Sequence, residues 1–81
     1  MRVRVLLFAI LRDAAGAGEI PLDLEDCATA ASAAARLAED YPALKPYLPR
    51  VAFAVNRSYT PATTELHDGD ELVLIPPVSG G

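Results

Sequence analysis

This chain of 81 residues has little of the chemistry on which most catalytic and metal sites depend, with one cysteine, one histidine and seven Lys plus Arg. Because Cys27 is alone, no disulfide can form within the chain, and we expect a reducing compartment, the cytoplasm. Cys27 has no basic sequence neighbour that would lower its pKa. A small, partly buried filler is therefore favoured over a redox or nucleophilic residue.

The shortage of basic residues and of long apolar runs excludes two classes of partner. With a net charge of −4 and no basic stripe to neutralise phosphates, we expect no nucleic-acid binding. An acidic body instead suits a positively charged protein partner. The apolar run at residues 5–11 is much shorter than the roughly 20 residues of a membrane span, and Arg12 and Asp13 interrupt it. A buried strand, and no membrane association, is expected.

The sequence also lacks the residue clusters of a metal site or an independent active site. His67 has no second histidine or cysteine at ligand spacing, so we predict a solvated loop residue and no metal. The nearby carboxylates are Glu65, Asp68, Asp70 and Glu71. They could bind a cation, but they lack the pattern of a calcium loop, and a solvated acidic rim is favoured. No nucleophile–base pair is present, so we expect no catalysis by this chain alone.

The hydrophobic pattern predicts the order strand, strand, helix, strand, strand. The strands are expected at residues 2–11, 20–24, 51–55 and 71–75. The helix is expected at residues 30–40, with Thr29 as its N-cap and Pro42 closing it. The remaining segments are a connection at residues 12–18, a short helical turn at 43–48, and an irregular stretch or short edge strand at 59–66.

This order predicts an α+β fold in which one helix packs on one face of a mixed sheet. The strands are apolar on both faces, so one helix leaves apolar side chains on the other face. These side chains are Leu6, Phe8, Ile10, Val73 and Ile75. A contiguous exposed apolar patch usually marks a partner surface. The alternative is that the sheet curls enough to bury them.

The sequence ends in Pro76-Pro77-Val78-Ser79-Gly80-Gly81. The prolines fix φ and lack a backbone N–H, so sheet pairing should end after Ile75 and an extended tail should begin. The two glycines have no side chain and can enter a narrow slot. We predict a domain at residues 1–77 and a tail at 78–81 that is offered to another protein. The alternative is a solvated, frayed terminus.

Several segments, taken in order, resemble the small subunits of molybdopterin synthase, a family of ubiquitin-like sulfur carriers. They are Val5-Leu6-Leu7-Phe8-Ala9 with Leu11-Arg12, Ala28-Thr29-Ala30, Val55-Asn56, Asp68-Gly69-Asp70-Glu71 and the Pro-Pro-Val-Ser-Gly-Gly ending. The resemblance implies a ubiquitin-like β-grasp fold. It also implies that a ubiquitin-activating-type adenylyltransferase uses ATP-Mg to adenylate the terminal carboxylate, and that this chain itself binds no cofactor. A sulfur donor then forms a thiocarboxylate, whose sulfur the large synthase subunit transfers to the pterin precursor.

The same resemblance assigns roles to individual residues. Gly81 would carry the acyl-adenylate and then the thiocarboxylate. The tail-threading residues would be Gly80, Ser79, Val78, Pro77 and Pro76. Phe8 and Ile75 would form the apolar docking surface for the partner, with Arg12 as a polar contact at its edge.

Two features depart from the family pattern, and three other functions stay open. Arg57 stands where family members often have glycine, so the turn after Asn56 is expected to differ in type. The predicted helix is rich in alanine instead of leucine. The tail also suits a sulfur carrier of another pathway (thiamine, tRNA thiolation or cysteine) or a ubiquitin-like protein modifier. A plain interaction domain with an inert tail is a further alternative.

Overall fold

The computed structural model describes residues 1–77, which form a five-stranded mixed sheet in the order β2-β1-β5-β3-β4. The strands are β1 Arg2–Leu7, β2 Glu19–Asp23, β3 Ala52–Val55, β4 Ser58–Thr60 and β5 Glu71–Ile75. β1 lies antiparallel to β2 and parallel to β5, while β3 lies antiparallel to β5 and β4. The predicted mixed sheet is confirmed. The last strand in sequence, β5, is the central strand.

The first strand is shorter than predicted, because the chain turns at Phe8 into a helix. β1 ends at Leu7, and helix α1 spans Ala9–Ala15, where strand and connection were expected. Residues 9–15 are rich in strong helix formers. Gly16 ends the helix in a left-handed conformation, with φ of 78°, and its N–H donates to the carbonyl of Arg12. The apolar run therefore continues as a helix that buries Leu11.

The main helix, α2, spans Ala30–Asp40 as predicted, and Thr29 is its N-cap. The Ser32 N–H donates to Thr29 Oγ1 at 3.2 Å, and the Thr29 N–H donates to Ser32 Oγ at 2.7 Å, which completes a capping box. Where one short helical turn was predicted, two 3₁₀ turns form, at Pro42–Leu44 and Leu48–Arg50. None of the helices in the described part of the chain combines the length and hydrophobicity of a membrane span.

The core lies between one face of the sheet and the two helices. Its fully buried members on the sheet are Val3, Val5, Leu7, Leu72 and Leu74. Leu11 of α1 and Leu37 of α2 pack against them, each with 0% exposure. The alanines of α2 that face the sheet are also buried, which brings the helix close to it. Each fully buried Leu or Val contributes about 1.5–3 kcal/mol, so this single layer holds the fold together.

A two-residue loop joins β3 to the edge strand β4. Asn56 and Arg57 have φ of 50° and 71°, and two consecutive positive φ values are typical of a type I′ hairpin turn. The Asn56 side chain also bridges to β5, because the Glu71 N–H donates to Asn56 Oδ1 at 3.0 Å. The predicted end of the third strand at Asn56 is confirmed, and the edge-strand alternative for the following segment is confirmed at Ser58–Thr60.

Candidate functional site

The face of the sheet turned away from the helices consists of a charged half and an apolar half. Alternate residues of each strand form this uncovered face. They are Arg2, Arg4 and Leu6 of β1, Glu19, Pro21 and Asp23 of β2, Ala52 and Ala54 of β3, Tyr59 of β4, and Glu71, Val73 and Ile75 of β5. The charged half consists of Arg2, Arg4, Glu19, Pro21, Asp23 and Glu71. The apolar half consists of Leu6, Phe8, Ala52, Ala54, Tyr59, Val73 and Ile75.

Ion pairs connect the side chains of the charged half to one another. Arg2 Nε lies 3.1 Å from Asp23 Oδ1, and Arg4 lies 3.3 Å from Glu19 and 3.1 Å from Glu71. The hydrogen bond and positive charge of Arg2 lower the pKa of Asp23 below its usual value. The pairs of Arg2 with Asp23 and Arg4 with Glu19 are exposed and contribute little to stability, whereas Glu71 is largely buried. Their charges are mutually compensated, and they align three neighbouring strands.

The apolar half forms a continuous row across four strands. In the sheet register Leu6 pairs with Val73, Val73 with Ala54, and Ala54 with Tyr59. Tyr59 is 78% exposed, whereas Leu6 and Val73 are half-buried. Ala54 is buried, with 7% exposure. The predicted apolar patch is therefore exposed in part: its exposed large side chains are Phe8 and Tyr59, while Leu6, Val73 and Ile75 are half-buried. Such a patch on a small domain is typical of a protein-binding surface.

Two of the predicted docking residues lie next to this row, at the end of the sheet where β1 and β5 both end. Leu7 pairs with Leu74, and the residues that follow them are Phe8 and Ile75. Phe8 is 52% exposed, and Ile75 is half-buried. Ile10 is 45% exposed, but it belongs to α1 and not to the sheet, which corrects its predicted place on the strand face. The structure thus brings together the two apolar candidates from opposite ends of the sequence.

Arg12, the third docking candidate, lies at the same end of the sheet on the β2 side. It is exposed, and its side chain covers the backbone of Gly18, where an added Cβ would lie 3.4 Å from Arg12 Nε. The Gly18 carbonyl accepts a hydrogen bond from the Leu7 N–H at 2.9 Å. Arg12 is therefore close to the end of β1 and places a positive charge at the margin of the apolar half.

The tail starts from this surface. Sheet pairing ends at Ile75 as predicted, Pro76 is half-buried and Pro77 is exposed. The other predicted tail residues, Val78, Ser79, Gly80 and Gly81, lie outside the described residues. Their threading and acyl-carrying roles stay predictions, as does the domain boundary after Pro77. Because β5 ends within the apolar half, a partner on this surface would meet the start of the tail.

Tyr59 and Ala54 are members of this surface that the sequence analysis missed. The signal was available, because Ala52 and Ala54 alternate with Val51, Phe53 and Val55 and so mark the opposite face of β3. An aromatic residue on a short edge strand next to this row has no core position to occupy, which leaves Tyr59 exposed.

Cys27 was predicted to be a partly buried filler, and this prediction is wrong. It is exposed and has φ of 69°, in the turn that precedes α2. The negative charge of nearby Glu65 raises the pKa of Cys27 above its usual value. A raised pKa reduces the thiolate fraction at neutral pH and so weakens the thiol as a nucleophile or metal ligand.

The acidic segment before β5 is hydrogen-bonded within its own loop, to the β3–β4 loop and to β1. Asp70 accepts hydrogen bonds from the His67 N–H at 2.7 Å and from Asn56 Nδ2 at 2.9 Å. Asp68 accepts one from the Arg2 N–H at 2.7 Å. His67 has a side chain that is 83% exposed, which confirms a solvated loop residue. Within residues 1–77, no group of three or more His, Cys, Asp or Glu side chains is arranged to hold a metal ion.

Comparison with known proteins places this geometry among sulfur carriers. The model of the ThiS family matches residues 5–81. The molybdopterin synthase sulfur carrier subunit of Chlamydomonas reinhardtii is 40% identical over 83 residues, with all of both chains covered. Small archaeal modifier protein 1 (SAMP1) of Haloferax volcanii has a TM-score of 0.88 at 30% identity, again over all of both chains.

A solved complex supplies a similar chain with its partner. In the complex of subunits 1 and 2 of the molybdopterin-converting factor from Helicobacter pylori, the matching chain has a TM-score of 0.69 at 27% identity, with both chains covered completely. The solved structures also confirm the predicted fold class, a ubiquitin-like β-grasp.

Proposed function

Because this chain belongs to the ThiS family and to the family of molybdopterin synthase sulfur carrier subunits, we propose that it is the sulfur carrier subunit of a molybdopterin synthase. One structural observation carries the proposal. The central strand β5 ends at Ile75 within the apolar half of the uncovered face, and the diglycine-ended segment follows directly. A protein that docks on this face is thereby brought to the start of the tail.

The proposed chemistry begins at the Gly81 carboxylate. An α-carboxyl group has a pKa of about 3.3–3.7, so it is ionised at neutral pH and is a poor electrophile. Its oxygen attacks the α-phosphorus of ATP-Mg on the activating enzyme, and pyrophosphate leaves. Hydrosulfide then attacks the acyl carbon, AMP leaves and the S–H proton is lost to solvent, which produces the thiocarboxylate. Transfer of this sulfur to the pterin precursor and hydrolysis of the acyl group restore the carboxylate.

In the proposed cycle this chain and its partner proteins supply different chemical groups. It binds neither ATP nor another cofactor in this proposal, and it supplies the acyl group while its partners supply the catalytic groups. Those partners are the large synthase subunit, an adenylyltransferase and a sulfur donor. The H. pylori complex of two converting-factor subunits supports the first of them. Nucleic acid and membranes have no part in this cycle, whose proposed location is the cytoplasm.

The proposed docking surface is the apolar half, with Phe8 and Ile75 at the end from which the tail leaves. Both side chains adjoin the point where β5 ends, so their burial by a partner would hold the tail in a defined direction. Removing apolar surface from water provides about 25 cal/mol per Å², and the exposed ring of Phe8 offers much of that gain. Arg12 would pair with a carboxylate at the rim, where charges favour orientation more than affinity.

Sulfur loading tests the proposal directly. The chain is incubated with its activating enzyme, ATP-Mg and a sulfide source, and its intact mass is measured. We expect the increase that exchange of one oxygen for sulfur produces, located at Gly81 by fragmentation. A variant that lacks Gly80 and Gly81 is the matched control and should keep its mass. If the complete chain also keeps its mass while the enzyme adenylates a known carrier, the proposal is wrong.

A second candidate function is that of a ubiquitin-like protein modifier, which the likeness to SAMP1 of H. volcanii supports. In that case a lysine amine, and not a sulfur nucleophile, would attack the activated Gly81. Affinity purification from cells distinguishes the two functions. Co-purification of the large synthase subunit supports the carrier, and isopeptide adducts on many proteins support the modifier. Recovery of enzymes of thiamine, tRNA-thiolation or cysteine synthesis would instead assign the carrier to another pathway.

A further inference from the structure

A second apolar surface lies on the helix side of the sheet. A groove of about 460 Å³ is bounded by α2, the 3₁₀ turn Leu48–Arg50 and β3. Its lining includes Ala35, Lys45, Leu48, Val51 and Phe53. All but Lys45 are apolar. Because Leu48 and Val51 are only half-buried, this groove leaves apolar surface in contact with water.

The segment that forms most of this groove has the opposite charge to the rest of the molecule. Residues 41–64 contain Lys45, Arg50 and Arg57 and no Asp or Glu, in a chain whose net charge is −4. The rest of the chain therefore carries −7. Within the described residues, these three cations take part in none of the ion pairs. Glu39, which follows Ala35 by one helical turn, makes no ion pair with Lys45.

We propose that this groove docks a segment of a second protein that presents one or two large apolar side chains next to a carboxylate. The apolar side chains would fill the space between Ala35 and Leu48, and the carboxylate would pair with Lys45. Arg50, on the same 3₁₀ turn as Leu48, strengthens the local positive field. A basic segment of the same apolar content would be repelled, so charge selects the partner.

The groove and the apolar half of the uncovered face lie on opposite sides of the sheet. Phe53 pairs with the buried Leu74 on the helix side, whereas Ala54 pairs with Val73 on the uncovered side. A protein in the groove therefore leaves the uncovered face and Ile75 accessible. This inference goes beyond the proposed function, because it describes a carrier that one protein binds on the helix side while another acts on its tail.

Peptide titration of the complete, ¹⁵N-labelled chain tests the proposal. The probes are three synthetic amphipathic helical peptides with the same leucines, whose flanking positions carry glutamate, glutamine or lysine. We expect amide shift changes at Ala35, Lys45 and Leu48, and binding of the glutamate peptide at least about tenfold tighter than that of the lysine peptide. Equal binding of all three peptides, or the absence of shifts at the groove, would overturn the proposal.

Matched variants locate the interaction. Ala35→Gln fills the groove with a neutral polar side chain from an exposed helix position, and Lys45→Glu reverses its charge, so both should weaken the glutamate peptide at least about tenfold. Arg57→Glu makes the same charge change outside the groove lining and should leave binding unchanged. Thermal unfolding verifies that each variant is folded.

Two other results of the peptide titration would also contradict the groove proposal. Shifts confined to Val73 and Tyr59 would assign the peptide to the uncovered face and contradict the proposal. Concentration-dependent shifts at the groove without peptide would identify a second copy of this chain as its occupant, which also contradicts it. The titration needs no sulfur loading, so its failure leaves the sulfur-carrier proposal untouched, and the converse also holds.

Discussion

At the scale of single residues, backbone strain marks the points where the chain changes direction. Ala9, Cys27, Asn56 and Arg57 all have positive φ. Asparagine tolerates this conformation, but a left-handed residue with an ordinary side chain costs about 1–2 kcal/mol. Ala9 is the first residue of α1, directly after Phe8, and Arg57 lies in the hairpin loop. The strain at Ala9 accompanies the turn that leaves Phe8 exposed beside Ile75.

Replacing Arg57 with glycine should stabilise the domain. Glycine adopts φ of about +70° without strain, and after its own entropic cost we expect a gain of about 0.5–1 kcal/mol in the free energy of unfolding. Urea unfolding measures it. Arg57→Ala, which removes the same side chain but keeps Cβ, should give no such gain. Equal stability of the two variants would show that Arg57 is not strained.

The reactivity of Cys27 should depend on Glu65. Because Glu65 raises the pKa of the thiol, alkylation by iodoacetamide should become fast only at a higher pH than for an ordinary cysteine. Glu65→Gln should move the rate profile to lower pH, whereas Glu25→Gln should leave it in place. Because the pKa of Cys27 is raised in the folded state, its contribution to the free energy of unfolding is fully present below the pKa of the unfolded state. This contribution is lost as pH rises through the folded-state pKa. An unchanged profile in Glu65→Gln would disprove the interaction.

At the scale of elements, the ends of helices and strands decide which surfaces are presented. α2 begins at a capping box and packs on the sheet mainly by alanines. Because each alanine buries little apolar area, the stability of the helix depends strongly on its cap. The sheet has β2 and β4 at its edges. β4 is only three residues long, and β2 contains Pro21, which lacks a backbone N–H. Both features discourage pairing with a further strand.

Loss of the capping box should weaken α2 measurably. Thr29→Ala removes the acceptor for the Ser32 N–H, and we expect a loss of about 1 kcal/mol in the free energy of unfolding. Chemical denaturation provides the measurement. Thr63→Ala, a matched change in an exposed loop, should alter stability far less. If the two variants are equally stable, the cap contributes nothing in this fold.

At the scale of the whole molecule, the sheet separates two surfaces with different chemistry. The uncovered face has an apolar half next to compensated ion pairs, and the tail begins at its end. The helix side carries the groove, and most of its lining comes from residues 41–64, which contain three basic residues and no acidic ones. Since β5 is central and bonded on both sides, the end that launches the tail is held rigidly relative to both surfaces.

Docking on the uncovered face should weaken when a charge is placed in its apolar half. Ile75→Asp should weaken binding of the large synthase subunit at least about tenfold, or about 1.4 kcal/mol, because the carboxylate would be buried in an apolar contact. Calorimetric titration measures the affinity. Ala43→Asp adds the same charge to an exposed residue on the helix side and should bind normally. Equal affinities of the two variants would place the interface elsewhere.

The sequence by itself determined the elements whose signals are local. Period-two alternation predicted β2 and β5, and Thr29 ahead of a run of helix formers predicted α2 with its cap. Asn56 predicted the turn that ends the third strand, while the predicted difference of that turn from the family pattern stays a prediction. The end of sheet pairing at Ile75 followed from Pro76 and Pro77, because proline cannot donate a backbone hydrogen bond. The ordered motifs also sufficed for the family.

Only the tertiary structure decided what depends on contacts between distant parts of the chain. The apolar run of residues 5–11 suits a strand or a helix equally, and packing of Leu11 into the core selects the helix from Ala9. Cys27 is exposed because the turn before α2 directs it outward, next to Glu65. Strand order, which makes β5 central and sets Ile75 beside Phe8, arises from pairing between opposite ends of the sequence. No local pattern contains that information, because the choice of neighbouring strand depends on how the whole core is buried.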